Sequence, residues 1–215
     1  MQRTHHTEQY SPASFNELDQ HIAFHEAGHV TAIYIRNHQQ KLPPVFFQII
    51  LNKNEKKEYP FFARVEGGRL IENLPIAEIE KNNLETELER KDLTKAYEAD
   101  VINLLAGPLA EAKFVALRDD EVFNPHLVNI IALKNYGGHS DLEQANQYLE
   151  YFIADTEERE LKMKSLFEQA FQFIDTPDNW KCIKHFANYL LVNGQGNISC
   201  EQASATLEDF LSYSR

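Results

Sequence analysis

The sequence lacks the features that would direct the protein to nucleic acid or to a membrane. It has 21 Lys and Arg against 33 Asp and Glu, and no block of basic residues long enough to follow a phosphate backbone. Its longest apolar stretch, 101–117, is interrupted by Glu111 and Lys113, and the N-terminus has no apolar core. We therefore expect no nucleic-acid partner, no signal peptide and no membrane span.

Cysteine and nucleotide-binding motifs are also scarce. The two cysteines, Cys182 and Cys200, do not have the spacing of a metal or redox site, and free thiols suit a reducing compartment, so we expect a cytoplasmic protein. No G-x-x-x-x-G-K-[ST] phosphate loop occurs in the sequence. We therefore expect any activity of this chain on its own to be independent of ATP.

Residues 25–29 read HEAGH, an H-E-x-x-H motif in a strongly helical stretch. On an α-helix His25 and His29 lie one turn apart on the same face, so both imidazoles can bind one metal ion while Glu26 projects beside it as a base. The flanking residues are apolar, and two imidazoles and a carboxylate are costly to bury without a compensating cation. The motif therefore predicts a zinc site, and the competing interpretation is a pair of core histidines satisfied by hydrogen bonds.

A catalytic zinc site needs a third protein ligand and leaves its fourth position to water. Residues 137–145 read GGHSDLEQA, in which two glycines permit a sharp turn. Ser140 and Glu143 form a capping box, which places Asp141 in the first turn of a new helix. On local sequence alone, the better interpretation is that Asp141 complements the helix dipole.

Three segments occur in the order found in one protease family: AFHEAGHVTAIYI, LLAGPLAEAKF at 104–114, and GGHSDLEQA. From about residue 14 onwards the chain resembles the peptidase domain of FtsH-type, membrane-anchored AAA+ zinc proteases. The resemblance implies that His25, His29 and Asp141 bind zinc and that Glu26 is the general base. An exposed strand edge expected at 60–66, together with the missing phosphate loop, predicts an extended or unfolded polypeptide as substrate. A homo-oligomer or a separate ATPase stays open as partner.

Several positions depart from the family pattern. Pro108 lies inside the second motif, where it is expected to kink the helix. His139 stands where the family commonly has a small residue, and it could compete as a metal ligand or contact the substrate. Tyr136 and His139 could also donate to the oxyanion, although such residues more often only pack. Glu98 and Glu111 remain alternative third ligands, because many H-E-x-x-H hydrolases use a Glu from a later helix.

The expected fold is α+β and predominantly helical, with a zincin-like metal helix, a small antiparallel sheet and a C-terminal helical bundle. Ser14 and Glu17 predict the start of the metal helix, which cannot pass Pro43-Pro44. The apolar runs 45–51 and 60–66 predict an antiparallel pair, and Pro60 suits an edge strand.

Further helices are expected from Asp92, with a bend near Pro108, and from Asn124-Pro125. Three more should be opened by Thr156, by Thr176-Pro177 and by Ser199. We assign 14–150 to a zinc peptidase-like core and 151–215 to a helical C-terminal part of the same domain.

Together these features predict a zinc-dependent metallopeptidase that hydrolyses peptide bonds with a metal-activated water. The alternative is a catalytically silent, metal-stabilised binding or adaptor module derived from a protease domain. The presence of Glu26 favours the enzyme, because a purely structural metal site has no need of a base beside its ligands.

Overall fold

The computed structural model describes residues 16–52, 63–73, 87–193 and 196–213, without the side chains of 87–90 and 213. The longer helices in these ranges are α1 (Glu17–Thr31), α2 (Glu87–Arg118), α3 (His139–Phe152), α4 (Thr156–Asp175), α5 (Pro177–Asn193) and α6 (Cys200–Tyr213). The strands β1 (Phe47–Leu51), β2 (Ala63–Gly67) and β3 (Gly196–Ser199) form one antiparallel sheet in the order β2-β1-β3. The predicted α+β class, with helix predominating, is confirmed.

Helix α1 carries the H-E-x-x-H motif. Its cap is Asn16, whose side chain accepts a hydrogen bond from the N–H of Leu18, whereas the predicted capping residue Ser14 lies outside the described residues. After α1 the chain continues through a π-helical turn, Ala32–Arg36, and one further α-helical turn, Asn37–Gln39. The helix therefore ends before Pro43-Pro44, as predicted.

Helix α2 is the central element of the core. It spans 32 residues and begins before the predicted Asp92, and its helical structure continues through Pro108. A Cβ atom at Gly28 of α1 would lie only 2.5 Å from the carbonyl oxygen of Ala106, so only glycine permits this close approach of α1 to α2. The two helices therefore pack almost backbone to backbone next to the H-E-x-x-H motif.

The C-terminal helices belong to the same hydrophobic core. Helix α5 packs along α1 and α4 packs along α2, and both helices begin at their predicted starts. Helix α6 follows a cap in which Ser199 and Gln202 each accept a hydrogen bond from the other's backbone N–H. None of the helices that the structure describes is long and apolar enough to cross a bilayer.

The sheet contains one strand that was not predicted. β1 pairs with β2, with Ile49 opposite Val65, and this pair confirms the expected hairpin over the described residues, although Pro60 lies outside them. β1 pairs on its other side with β3, where Ile49 is opposite Ile198. β3 has four residues, and apolar and polar residues alternate little along it. The sequence therefore contains almost no pattern that would predict this strand.

The helix predicted from Asn124-Pro125 is wrong. The Asn124 side chain instead accepts hydrogen bonds from the N–H groups of His126 and Leu127, which holds this segment in a turn. A 3₁₀ helix, Ile131–Asn135, then leads to Gly137 and the start of α3.

Candidate metal centre

The side chains of His25, His29 and Asp141 meet in the core, where their candidate ligand atoms lie within 4.8 Å of one another. His25 Nε2 is 3.3 Å from Asp141 Oδ2, and His29 Nε2 is 3.5 Å from Asp141 Oδ1. Ligands bound at about 2.0 to 2.2 Å to one tetrahedral zinc ion are about 3.3 to 3.6 Å apart. These two separations match the spacing of ligands around one bound metal ion.

Each histidine has its other ring nitrogen bound to the protein. His29 Nδ1 lies 2.8 Å from the carbonyl oxygen of Asn103, and His25 Nδ1 lies 3.1 Å from the carbonyl oxygen of Tyr136. Because a carbonyl oxygen only accepts hydrogen bonds, both Nδ1 atoms carry the hydrogen. When a ring is neutral, its Nε2 lone pair is then directed to the position that a metal ion would occupy.

Two glycines make room for the imidazoles. A Cβ atom at Gly107 would lie 2.3 Å from His29 Nε2, and a Cβ atom at Gly137 would lie 3.1 Å from His25 Nδ1. Gly137 also has a φ of +69°, which side-chain-bearing residues rarely adopt. The sequence places Gly107 just before Pro108, but nothing in that spacing reveals its contact with His29.

Asp141 lies in the first turn of α3, as predicted, but the predicted capping box is wrong. The N-cap of α3 is Gly138, without a side-chain cap, and the helix begins at His139, so Ser140 lies inside the first turn. The turn at Gly137 starts the helix early enough for Asp141 to reach both imidazoles. The Asp141 side chain is buried together with the two imidazoles. It is therefore not an exposed carboxylate that only complements the dipole of α3.

Glu26 is held beside the cluster by the sheet. Its Oε2 accepts a hydrogen bond of 2.7 Å from the backbone N–H of Val65 in β2. This bond orients the carboxylate and joins α1 to the strand that borders the site.

The structure separates the alternative ligands from the cluster. Glu98 pairs with Lys162, with 2.7 Å between Oε1 and Nζ. Glu111 contacts His25, but on the Nδ1 side, where its Oε2 lies 3.1 Å away. Of the three carboxylates considered, only Asp141 faces the Nε2 atoms of both histidines. His139 is exposed, and Tyr136 contributes its backbone carbonyl oxygen to His25.

A hydrogen-bonded chain extends outward from His25 through Glu111. Glu111 Oε1 lies 3.2 Å from His21 Nδ1, and His21 Nε2 accepts a hydrogen bond of 2.8 Å from Arg118 Nη1. His21 therefore donates from Nδ1 to Glu111. The sequence signal for this network was His21 itself, one helical turn before His25, and it was not recognised.

Burial sets the protonation of two groups in the site. It lowers the pKa of His29 to about 4, so this imidazole is neutral at pH 7 and can bind a metal. It raises the pKa of Glu26 to about 7, which suits a group that must accept and release a proton near neutral pH.

His25 and Asp141 form a coupled pair. Burial alone lowers the pKa of His25, but hydrogen bonds to Asp141 and Glu111 outweigh it and hold this pKa well above its usual value. Burial disfavours the charged form of Asp141, yet the charge of His29 and the hydrogen bond from His25 keep the pKa of Asp141 below its usual value. A bound cation would take the place of the proton on His25.

An open cleft of about 260 Å³ lies above the cluster. His25, Glu26, His29 and Asp141 all line it, and Arg64, Arg69, Ser140 and Gln144 are among the other lining residues. The cleft would give a substrate access to the metal position and to Glu26 together.

No protein-family model matches the chain, and no curated protein sequence matches it significantly. The geometry of this site and the order of the three sequence motifs are therefore the features that indicate a function.

Proposed function

We propose that this protein is a zinc-dependent metallopeptidase. The observation that carries the proposal is the convergence of the two Nε2 atoms and the Asp141 carboxylate on one point, with Glu26 beside them and a cleft above. Structural zinc sites are usually closed by four protein ligands, whereas catalytic sites have three and an open position. Among the described residues three such ligands come together here.

A bound zinc ion would lower the pKa of a water molecule towards about 7 and polarise the scissile carbonyl group. His25 and His29 hold their Nε2 atoms in place through the acceptors at Nδ1. Glu26 accepts the proton from the attacking water and later donates it to the leaving amine. Because Val65 binds Oε2, the other carboxylate oxygen of Glu26 is the one that exchanges the proton.

The proposed substrate is an extended or unfolded polypeptide that adds as a strand along β2. The Val65 N–H points away from β1, so the N–H groups of Ala63 and Gly67 do so as well, because direction alternates along a strand. No strand within the described ranges pairs with that side of β2. An extended peptide there would run beside the cleft, whereas a folded protein could not pair with the edge.

We propose a cytoplasmic location, because both cysteines are free thiols. The net charge of -12 argues against a nucleic-acid partner. The proposed protein partner is either a separate ATPase, which would unfold the substrate, or further copies of this chain. The sequence itself contains no phosphate loop with which to drive unfolding.

The second candidate is a catalytically silent, metal-stabilised binding or adaptor module. The observation in its favour is the hydrogen bond between Val65 and Glu26, which gives the carboxylate a structural role in joining α1 to β2. In that case the metal would contribute to folding stability only.

Metal analysis and proteolysis together test both candidates. Purified protein should contain about one zinc ion per chain. It should degrade a flexible casein-like substrate, and a chelator should abolish this activity, as should Glu26→Gln in the zinc-loaded protein. Zinc-loaded protein that cleaves no member of a broad peptide library would instead support the silent module.

A further inference from the structure

The ring of Pro108 in α2 packs against the backbone turn that precedes α3. Pro108 and Gly138 are both buried, and a Cβ atom at Gly138 would lie 2.7 Å from Pro108 Cβ and 2.9 Å from Pro108 Cγ. Gly138 has a φ of -79°, which any residue can adopt. Glycine is therefore required at this position by its close contacts and not by the backbone conformation.

Gly138 is the residue at which the turn ends and α3 begins. Its N–H group donates to the carbonyl oxygen of Leu133 at 3.2 Å, and its own carbonyl oxygen accepts a hydrogen bond of 3.0 Å from the N–H of Leu142. The second bond closes the first turn of α3, which contains Asp141. A displacement of Gly138 would therefore displace the carboxylate of Asp141 as well.

The metal centre leaves little room for such a displacement. The two oxygens of Asp141 lie 3.3 Å and 3.5 Å from the Nε2 atoms of His25 and His29, which belong to a different helix. Bond lengths in a metal site vary by only about 0.2 Å. The position of α3 relative to α1 therefore has to be fixed by contacts outside the ligands themselves.

Two adjacent residues of α2 contact the two sides of the metal centre. A Cβ atom at Gly107 would lie 2.3 Å from His29 Nε2, and Pro108 contacts the turn that leads to Asp141. Glu111 follows Pro108 by one helical turn, and its Oε2 would lie 3.1 Å from a Cβ atom at Gly137. One face of α2 therefore lies against both glycines of the turn.

We propose that Pro108 is a positioning residue for the third metal ligand, because its ring fixes Gly138 and thereby the distance of Asp141 from the two imidazoles. This inference rests on the metal centre of the proposed function and is independent of peptide hydrolysis. Proline inside a helix removes a backbone hydrogen bond and is normally unfavourable. α2 nevertheless continues through Pro108, so the benefit of the residue lies in its contact with the turn.

Two substitutions separate the contact of the ring from its effect on the helix. Both Pro108→Val and Pro108→Gly restore the backbone N–H group of α2. Valine keeps carbon atoms at the β and γ positions, which are those closest to Gly138, whereas glycine keeps neither. Pro108→Val should retain most of the zinc affinity, and Pro108→Gly should weaken it about ten-fold, as expected for a residue that orients a ligand.

Competition with a coloured chelator measures these affinities, and circular dichroism verifies that each variant is folded. Unchanged affinity in folded Pro108→Gly would overturn the proposal. An equal loss in both variants would also overturn it, because the bend of the helix and not the ring contact would then be the cause.

A double-mutant cycle with Asp141→Ala tests whether Pro108 acts through Asp141. In a chain that already lacks the Asp141 carboxylate, Pro108→Gly should cause no further loss of zinc affinity. A loss of the same size in both backgrounds would show that Pro108 acts on the histidines or on the fold as a whole, and it would overturn the proposal.

Tyr97→Leu is the matched control for lost packing between α2 and α3. Tyr97 is also buried on α2, and its ring stacks on Phe152 at the opposite end of α3 from Asp141, with 4.4 Å between the ring centroids. This substitution should lower the melting temperature and leave the zinc affinity unchanged. A loss of zinc affinity equal to that of Pro108→Gly would overturn the specific role of Pro108.

Peptide hydrolysis by the same samples is scored separately. Zinc binding without coupling between Pro108 and Asp141 would refute this inference alone. Coupling in a protein that hydrolyses no peptide would refute the peptidase function alone. A chain that binds no zinc would refute both.

Discussion

Glu26 accepts a hydrogen bond from the backbone N–H of Val65, with 2.7 Å between Oε2 and the nitrogen. The candidate base on the metal helix is thus bound to the strand along which we propose that the substrate lies. A shift of β2 on substrate binding would therefore move the carboxylate as well.

Substitution Glu26→Gln separates catalysis from metal binding. Glutamine keeps the shape of the side chain, and its carbonyl oxygen can still accept the hydrogen bond from Val65, but it cannot accept a proton from water. We expect unchanged zinc content and melting temperature, and hydrolysis reduced by about 10² to 10⁴-fold. Zinc analysis, thermal unfolding and peptide kinetics check this. Activity close to that of the unmodified protein would rule out Glu26 as the base.

The third ligand can be identified by comparing two carboxylates. Asp141→Ala should remove most of the zinc, because Asp141 faces both Nε2 atoms. Glu111→Gln should keep zinc bound, with the affinity weakened about 10 to 100-fold, because Glu111 contacts His25 at Nδ1 and not at the Nε2 atom that faces the metal position. Competition with a coloured chelator measures both affinities. The reverse order of effects would identify Glu111 as the ligand.

Gly107→Ala should impair metal binding although alanine favours helix formation by about 1 kcal/mol over glycine. The new methyl group would lie 2.3 Å from His29 Nε2 and would displace the imidazole. We expect weaker zinc affinity, while circular dichroism should show the helical content retained. Zinc affinity equal to that of the unmodified protein would show that the ring does not need this space.

Asp100 should make stability depend on pH in a defined direction. Burial raises its pKa from 3.8 to about 6 in the folded protein, so the folded state holds the proton more tightly than the unfolded state. Its stabilising contribution is complete below about pH 4 and is lost as the pH rises to about 6. Between these pH limits, the free energy of unfolding measured with urea should decline less for Asp100→Asn, whose side chain cannot titrate, than for the unmodified protein. If the free energy of unfolding depends on pH with the same slope in both proteins, this assignment is contradicted.

Proline substitutions in β2 test the proposed path of the substrate. Ala63→Pro removes an N–H group that faces away from β1, so it should raise KM for peptides while zinc stays bound. Arg64→Pro removes an N–H group that faces β1, and it should destabilise the fold itself. Peptide kinetics and thermal unfolding distinguish the two effects. An unchanged KM in folded Ala63→Pro would exclude strand addition at this position.

The features that could be predicted from the sequence are those encoded by neighbouring residues. The spacing of His25 and His29 matches one helical turn, and Asp141 follows a glycine turn, so local pattern was sufficient to place each of them on a helix. The contacts that could not be predicted join distant residues. Glu111 meets His25 across 86 positions, and no local pattern encodes such a pairing.

The capping prediction at Ser140 failed for a related reason. Its spacing to Glu143 fits a capping box, but the backbone turn at Gly137 starts the helix at His139. Pro108 was expected to kink α2 and not to end it, and the helix does continue through this residue.

The position of β3 determines when the sheet can be completed during synthesis. β1 is the middle strand, but one of its neighbours comes from the distant segment Gly196–Ser199, where Gly196 pairs with Leu51. A chain emerging from the ribosome can form the metal helix and the β1–β2 hairpin early, but one edge of β1 stays unpaired until β3 has been made. The nascent protein therefore exposes one edge of β1 during this interval, and this is the stage at which a chaperone would protect it best.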